Sequence, residues 1–169
     1  NGGIMTFNGT SGATFTGFTI PSNNFSVECW YQANFVSSKY QPALFNEGTL
    51  GGQGFMMGYY ASASPANSWK ATKYGVIDLY IGSIPQNTGW HQVTYTYSST
   101  AGVVVYVDGA SNGTSVNTQN LSNNSTNTIG RGESGYHNGS IGSFRLWNTA
   151  LSSAQVLQNY NAVKSKYGL

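Results

Sequence analysis

GWHQVTYTYSSTAGVVVYVDGASNG, residues 89–113, decides the fold of this chain. It reads as two hairpins in series. Trp90–Tyr97 is rich in aromatic and β-branched residues, which suit a pleated, half-buried surface. Ser98–Gly102 is a polar turn ending in Gly, and Val103–Val107 is a second strand. Asp108-Gly109 is a strong hairpin signal, because a type I′ turn requires positive φ at both central residues. The chain then returns through Ala110–Val116. Three antiparallel strands need a partner on at least one face, so the remaining residues must wrap around them.

Working outward, the runs on either side are also short and β-like. Ile4–Phe7 ends at Asn8-Gly9, and Thr14–Ile20 is stopped by Pro21. In Phe25–Phe35 the residues Phe25, Val27, Cys29, Tyr31, Ala33 and Phe35 share one face. Ser26, Glu28, Trp30, Gln32 and Asn34 share the other. That strict alternation predicts a sheet with one packed face and one more polar face, Trp30 being sheet-face packing on the polar side. Ala43–Asn46 reads as a strand, Thr49–Gly54 as a Gly-rich turn, Phe55–Ala61 as a strand and 62–72 as a loop carrying Trp69. Tyr74–Ile81 is a further strand. Ser115–Asn127 is almost wholly polar and is expected to be a long edge or surface excursion. Thr128–Gly130 is a short strand, Arg131–Asn138 a loop and Ile141–Trp147 the last strand.

The end of the chain alone looks helical. Ser152 with Gln155 three residues on is the capping-box pattern, and Leu151 and Val156 stand at the hydrophobic-staple positions. Val156, Tyr160 and Val163 share a face, which predicts a short amphipathic helix over Ser153–Lys164. Many short strands, Gly-rich turns and one helix read as an all-β sandwich.

The totals narrow the function classes. A chain of 169 residues suits one domain, 1–169, and buries roughly 70% of its unfolded surface. It begins at Asn1 without Met and is expected to be a piece of a longer protein. Only 7% of residues are charged and the net charge is +2, with no basic patch to track phosphates, so nucleic acid is not an expected partner. No apolar run is long enough to insert into a membrane. Asn, Ser, Thr and Gly take the polar positions, a composition that suits an extracellular, cell-surface or virion protein. Cys29 is the only cysteine and reads as a buried small hydrophobe. Asn8, Asn24, Asn112, Asn120, Asn123, Asn124 and Asn138 match the glycosylation pattern, of which many arise by chance in so Asn-rich a chain.

Three stretches resemble a laminin-G-like domain of the concanavalin A-like lectin/glucanase superfamily. FSVECWYQANF (25–35) is similar to its apolar strand with a Glu-x-Trp step. GWHQVTYTY with VVVYVDG (89–109) is similar to its Trp-His strand and Tyr-x-Asp-Gly hairpin. NGSIGSFRLWNTALSSAQVLQNYNA (138–162) is similar to its closing strand and terminal helix. The resemblance implies a two-sheet antiparallel jelly roll in which Ile4–Phe7 pairs with part of Ile141–Trp147. The ending NYNAVKSKYGL also resembles closing segments of such domains in bacteriophage and large-virus structural proteins. Relatives often carry an acidic pair after the Gly-x-Ile of the closing strand, where this chain has Gly142 and Ser143, which weakens any transfer of a calcium site.

The chemistry points to binding rather than catalysis. Retaining glycosidases need two carboxylates about 5 Å apart, and this chain has no Glu-x-Asp or Glu-x-x-x-Glu run to supply them. Calcium takes six to eight oxygens at about 2.4 Å, several of them charged. With five acidic residues in the whole chain no metal site or cofactor is expected, beyond a weak calcium site that Asn and carbonyl oxygens could form at a loop rim. Asp108 is needed by its turn, His91 is a satisfied strand residue, and His137 lies in a loop and is freer. Sugars are recognised by aromatic faces with Asn, Asp, Arg and backbone groups holding the hydroxyls. Two loops hold those parts: Tyr59-Tyr60 through Trp69, and GRGESGYHN (130–138), with Arg131, Glu133, Tyr136, His137 and Asn138. The expected function is a non-catalytic carbohydrate-binding or adhesion module whose partners are cell-surface or polymer glycans. Its contact rim is centred on Tyr136-His137 and reaches Trp69. The alternative is a virion decoration or fibre domain that assembles with other subunits and binds no sugar.

Overall fold

The computed structural model describes residues 3–16, 19–21, 23–34, 43–47, 55–60, 67–73, 76–85, 89–120, 126–132 and 135–169. Among the described residues twelve strands run in chain order: β1 (Met5–Asn8), β2 (Ala13–Thr16), β3 (Asn24–Ala33), β4 (Ala43–Glu47), β5 (Phe55–Tyr60) and β6 (Ser68–Lys73). They continue with β7 (Ile77–Ile81), β8 (His91–Ser98), β9 (Gly102–Val107), β10 (Ala110–Ser115), β11 (Thr126–Ile129) and β12 (Asn138–Trp147). They form two six-stranded antiparallel sheets. Sheet I has the order β1-β12-β3-β8-β9-β10, and sheet II the order β2-β11-β4-β5-β6-β7. The stretch 89–113 supplies half of sheet I, and β3 lies against β8 over Asn24–Tyr31.

The β9–β10 hairpin turns through Asp108 at φ 51° and Gly109 at φ 79°, as a type I′ turn requires. A Cβ at Gly109 would also press on Leu157 and Tyr160, so this glycine serves both the turn and the packing of the terminal helix. Asp108 is occupied as its turn role predicts. Its Oδ1 accepts from the Gln92 amide at 2.9 Å, and its Oδ2 lies 2.7 Å from His91 Nδ1. The start of β8 is thereby tied to the far end of β9.

The core lies between the sheets. Phe25, Val27, Cys29, Tyr31 and Ala33 point into it from β3, with Val93, Tyr95, Tyr97, Val103 and Val105 from β8 and β9. Val107, Phe144 and Leu146 are half-buried at its margin. From sheet II come Phe45, Phe55, Met57, Tyr59, Trp69 and Ala71. The first strand pairs with the last, Met5 opposite Ile141 and Asn8 opposite Asn138. The first and last strands are neighbours, as the resemblance implied, but β1 lies along Asn138–Ile141 and shares only Ile141 with the expected range Ile141–Trp147.

Several boundaries differ from the sequence reading. Much of the expected loop 62–72 is strand β6, whose Trp69 and Ala71 face the core while Ser68, Lys70 and Thr72 face outward. Polar outward residues hid its alternation. Of the strand expected over Tyr74–Ile81, Ile77–Ile81 is strand, Val76 lies in a turn, and Tyr74 and Gly75 lie outside the described residues; the last strand starts earlier, at Asn138. β2 ends at Thr16, and Ile20 is buried without belonging to a strand. Residues 116, 118, 119 and 120 are exposed, in keeping with a surface excursion, but β11 already begins at Thr126 and Asn127 is buried. The turn expected at Thr49–Gly54 lies outside the described residues, as does Phe35.

The terminal helix α1 (Ser153–Val163) begins on the expected capping box. Ser152 Oγ accepts from the Gln155 amide at 3.4 Å, and Gln155 Oε1 accepts from the Ser152 amide at 2.9 Å. Leu151 and Val156 pack with Tyr106 beneath it. The helix ends one residue short of the expected Lys164. A 3₁₀ turn, Lys164–Tyr167, follows and stops at Gly168 in the left-handed region.

Candidate functional site

The loop from Gly130 to Asn138 bridges the two sheets. Gly130 N donates to Leu44 O of β4 at 3.2 Å, and Asn34 N donates to Asn138 O at 2.8 Å. Gly132 N donates to Gly135 O at 2.8 Å, His137 N donates to Gly130 O at 2.8 Å, and Arg131 and Tyr136 pair as an isolated β-bridge. The Arg131 guanidinium sits 5.7 Å from the centre of the Tyr136 ring. Such a contact contributes about 0.5–1 kcal/mol at an exposed site and fixes both groups. Arg131, Tyr136 and Asn138 are all half-buried. Glu133 lies outside the described residues.

The rest of the expected rim is inside the sandwich. His137 is fully buried rather than free in a loop. Its Nε2 lies 3.2 Å from Gln32 O and so donates to it, which leaves Nδ1, 3.4 Å from Tyr59 Oη, as an acceptor for the tyrosine hydroxyl. Burial lowers the His137 pKa to about 4, against smaller opposing effects of backbone groups at Gln32 and Ser140. The imidazole is neutral at pH 7. Burial likewise raises the Tyr59 phenol above its ordinary range. Trp69 is a core residue, edge-on to Tyr31 at 5.5 Å, to Tyr95 at 6.3 Å and to Tyr59 at 6.4 Å. Tyr60 takes the β5 position opposite Ser68, and its side chain is outside the described residues.

The cause of the burial is periodicity. Tyr59 and Trp69 are opposite partners on the inward side of β5 and β6. His137 is in phase with Gly139 and Ile141 of β12, and Ile141 is core. Counting back by twos from Ile141 would have placed His137 inside. A ligand at this rim therefore has Arg131, Tyr136 and Asn138 within reach, and not Tyr59, Trp69 or His137.

A second cluster lies on the outer face of sheet I, which the sequence reading took for a more polar face. Ser26, Glu28 and Trp30 are fully buried there, beneath α1 and the 3₁₀ turn. Tyr167 stacks on the Trp30 indole at 4.4 Å and 12°, and Tyr160 does so at 5.6 Å and 6°. Trp90 leans on Tyr167 at 4.6 Å. Ser26 Oγ donates to Thr149 O at 2.8 Å and accepts from Leu151 N at 2.9 Å, which pins the entry to the helix. Burial raises the Glu28 pKa, while the Arg145 guanidinium, its Nη1 3.3 Å from Oε1, pulls it back down. The two positions where relatives often carry acids serve the same cover. A Cβ at Gly142 would collide with the Tyr167 phenol, and Ser143 N donates to Tyr167 Oη at 2.7 Å. Among the described residues no group of three or more His, Cys, Asp or Glu is placed to hold a metal ion, and no helix is long and apolar enough to cross a membrane.

Two antiparallel six-stranded sheets, with β1 against β12 and a capped helix behind sheet I, define a lectin-type jelly-roll sandwich. The chain belongs to the family Laminin_G_3 of the concanavalin A-like lectin/glucanases superfamily, whose family model matches residues 7–157. No curated protein matches the sequence. Among solved structures, the native heptameric SAP-like pentraxin from Limulus polyphemus is similar with a TM-score of 0.70 and 18% identity over 91% of this chain and 79% of the pentraxin. The binding domain of botulinum neurotoxin DC, solved in complex with rat synaptotagmin II, is similar with a TM-score of 0.63 and 18% identity over 84% of this chain and 36% of the toxin chain. A botulinum neurotoxin type C structure, described by cell entry that depends on two ganglioside molecules, has a TM-score of 0.62 and 17% identity over 83% of this chain and 36% of its own. The chain thus spans about a third of the toxin chains, and at these identities the likeness is one of fold.

Proposed function

We propose that this domain is a non-catalytic carbohydrate-binding module of a cell or virion surface, with Arg131, Tyr136 and Asn138 at the contact. The observation that carries the reading is the Arg131–Tyr136 pair. It is half-exposed, held by a bridge, and mounted on a loop fastened to both sheets. A fixed ring offers its face to sugar C–H groups, and the guanidinium beside it donates to hydroxyl or carboxylate oxygens. The similar toxin structure whose description names gangliosides supports the reading by analogy of fold. Against catalysis stands Glu28, which is fully buried and paired with Arg145.

An assembly domain would bury a contiguous apolar patch against another subunit. Among the described residues the exposed large apolar ones are Ile4, Val76, Tyr80, Val116, Leu157 and Leu169, on the approach to β1, on and before β7, after β10 and in the C-terminal segment. The fixed Arg131–Tyr136 pair makes glycan binding the preferred reading. The test is a glycan array followed by titration of any hit, with Tyr136→Ala and Arg131→Ala as variants. A single sugar should bind at about millimolar Kd, so the array must present it multivalently. Loss of the signal in both variants supports the rim. A parent protein that binds no glycan overturns the reading.

A further inference from the structure

The fold treats the two arginines of the chain differently. Arg145 is paired with the Glu28 carboxylate. Arg131 forms no ion pair with any described residue. The acids whose side chains are described are committed elsewhere, Glu28 to Arg145, Asp78 to Lys70 and Asp108 to His91. Arg131 is nevertheless half-buried, with its guanidinium 5.7 Å from the centre of the Tyr136 ring. A guanidinium presents five N–H donors in a planar fork. Taking such a group partly out of water without an anion is unfavourable, and the fork matches a carboxylate in two parallel hydrogen bonds.

The backbone of Arg131 is held from three sides. Thr128 Oγ1 donates to Arg131 O at 3.4 Å, and Tyr136 pairs with Arg131 across the isolated bridge. The turn after β1 rests on the arginine stem, since a Cβ at Gly12 would come within 2.6 Å of Arg131 Cβ. The unpaired cation is therefore in a fixed place.

Strand parity sets what lies beside it. His137 is buried inward, so Tyr136 and Asn138 point outward. Phe7 is also inward, and Asn8, directly opposite Asn138, therefore points outward on the same face. Gly9 N donates to His137 O at 3.0 Å, which lays the turn after β1 along the rim loop. Asn8 Oδ1 accepts from Thr10 N at 3.1 Å and from Thr10 Oγ1 at 2.6 Å. These contacts orient an exposed carboxamide whose Nδ2 donors have no partner among the described residues. The Asn138 carboxamide, half-buried, likewise has none. A fixed cation and two free amides on one face make a site rich in donors.

We infer that the rim takes an acidic saccharide, whose carboxylate docks on the Arg131 guanidinium while Asn8 and Asn138 donate to neighbouring sugar oxygens. The inference rests on the glycan-binding reading and narrows its ligand to sugars that carry a carboxylate. A neutral sugar leaves the guanidinium without an anion, so charge sets the preference. Uronic and sialic acids share this chemistry, and Asn8 joins the contact as a residue that responds to it.

The experiment is an NMR titration with two matched pairs of probes: trigalacturonate with its methyl ester, and 3′-sialyllactose with lactose. The protein is produced in bacteria, so that Asn8 and Asn138 carry no N-glycan. At least one acid should bind about tenfold more tightly than its neutral counterpart, in line with hydrogen bonds to a charged group. The difference should shrink as salt is raised. Which acid responds identifies the source of the carboxylate. Arg131→Gln should bring acid and neutral sugar to equal affinity. Asn8→Asp keeps the acceptor that holds Thr10 but puts a carboxylate oxygen in place of Nδ2, and should weaken the acid more than the neutral sugar. Each variant must first keep the parent's amide spectrum; where Arg131→Gln does not, Arg131→Met, which keeps the apolar stem, takes its place. Acid and neutral sugar bound within about twofold of each other by the parent overturn the acidic ligand. So does a preference that survives loss of the guanidinium, or binding confined to neutral arrayed glycans. Glycan binding at the rim then stands if Tyr136→Ala abolishes it. A parent that binds none of these probes and no arrayed glycan overturns both.

Discussion

Two buried polar clusters in this domain are closed in different ways. The inner one, Tyr31, Tyr59, Trp69 and His137, lies between the sheets and is sealed by strands on both sides. The outer one, Glu28, Trp30, Gln92 and Arg145, lies on the back of sheet I and is sealed by a single helical segment resting on Tyr160 and Tyr167. The inner cluster contains neutral groups; the outer one contains a carboxylate whose desolvation is only partly offset by a half-exposed arginine. Groups with equal solvent shielding therefore differ in what it takes to expose them. Opening the first requires separating the sheets, which is unfolding. Opening the second requires only that a helix lift, and elements held by few apolar contacts are the ones that open locally.

The largest expected effect is at the inner cluster. Trp69→Ala removes a ring that meets Tyr31, Tyr59 and Tyr95, and should cost about 3–5 kcal/mol in urea unfolding. A cost within that of a surface change would mean that this cluster is not a structural unit. Next comes pH. The unfolded imidazole takes up a proton near its ordinary pKa of about 6.5, whereas His137 in the fold does so only at about 4. Its contribution is thus full above about pH 6.5 and is lost as pH falls toward 4, by on the order of 3 kcal/mol. His137→Gln should flatten the parent's fall in stability over that window. Glu28 acts in the opposite sense, because its raised pKa favours the folded acid, so the fold loses stability as pH rises through the ordinary carboxylate range. Unfolding midpoints from pH 7 to 4 for the parent and the variant check this; identical slopes would detach His137 from acid sensitivity.

The smallest effect separates the two clusters most cleanly. Ser152→Ala removes the helix cap and should cost about 1 kcal/mol. Amide exchange should speed up over residues 153–167 and leave β3 and β8 unchanged. Equal acceleration throughout would show that the cover opens only with the whole fold.

Much of this architecture was legible in the chain. The hairpin at Asp108-Gly109, the inward face of β3, the cap at Ser152 and the pairing of β1 with β12 all follow from local pattern or family resemblance. What misled was side-chain chemistry read without phase. Trp69 and His137 looked like binding residues because they stood among small polar neighbours, yet Trp69 has inward parity with Ala71 of β6 and His137 with Ile141 of the strand that follows it. The Lys70–Asp78 ion pair went unnoticed for the converse reason. Its two groups lie on two strands, and only the register Lys70–Tyr80 and Thr72–Asp78 brings them together. The more polar face of β3, with Trp30 packed on it, was legible as a set of residues; its cover was not, since nothing local to β3 states that Tyr160 and Tyr167 will return to stack on Trp30.

The contact between Gly142 and Tyr167 also bears on how sequences of this family can vary. The phenol occupies the space that any side chain at position 142 would need, and its oxygen receives the amide of Ser143. A substituent at one position and a ring at the other are mutually exclusive in this geometry. Among relatives the two sites should therefore change as a pair: glycine in the closing strand wherever the terminal turn carries an aromatic, and an acidic or bulkier residue only where that ring is missing or seated elsewhere. An acid at position 142 would then report on the path of the chain's last turn as much as on calcium.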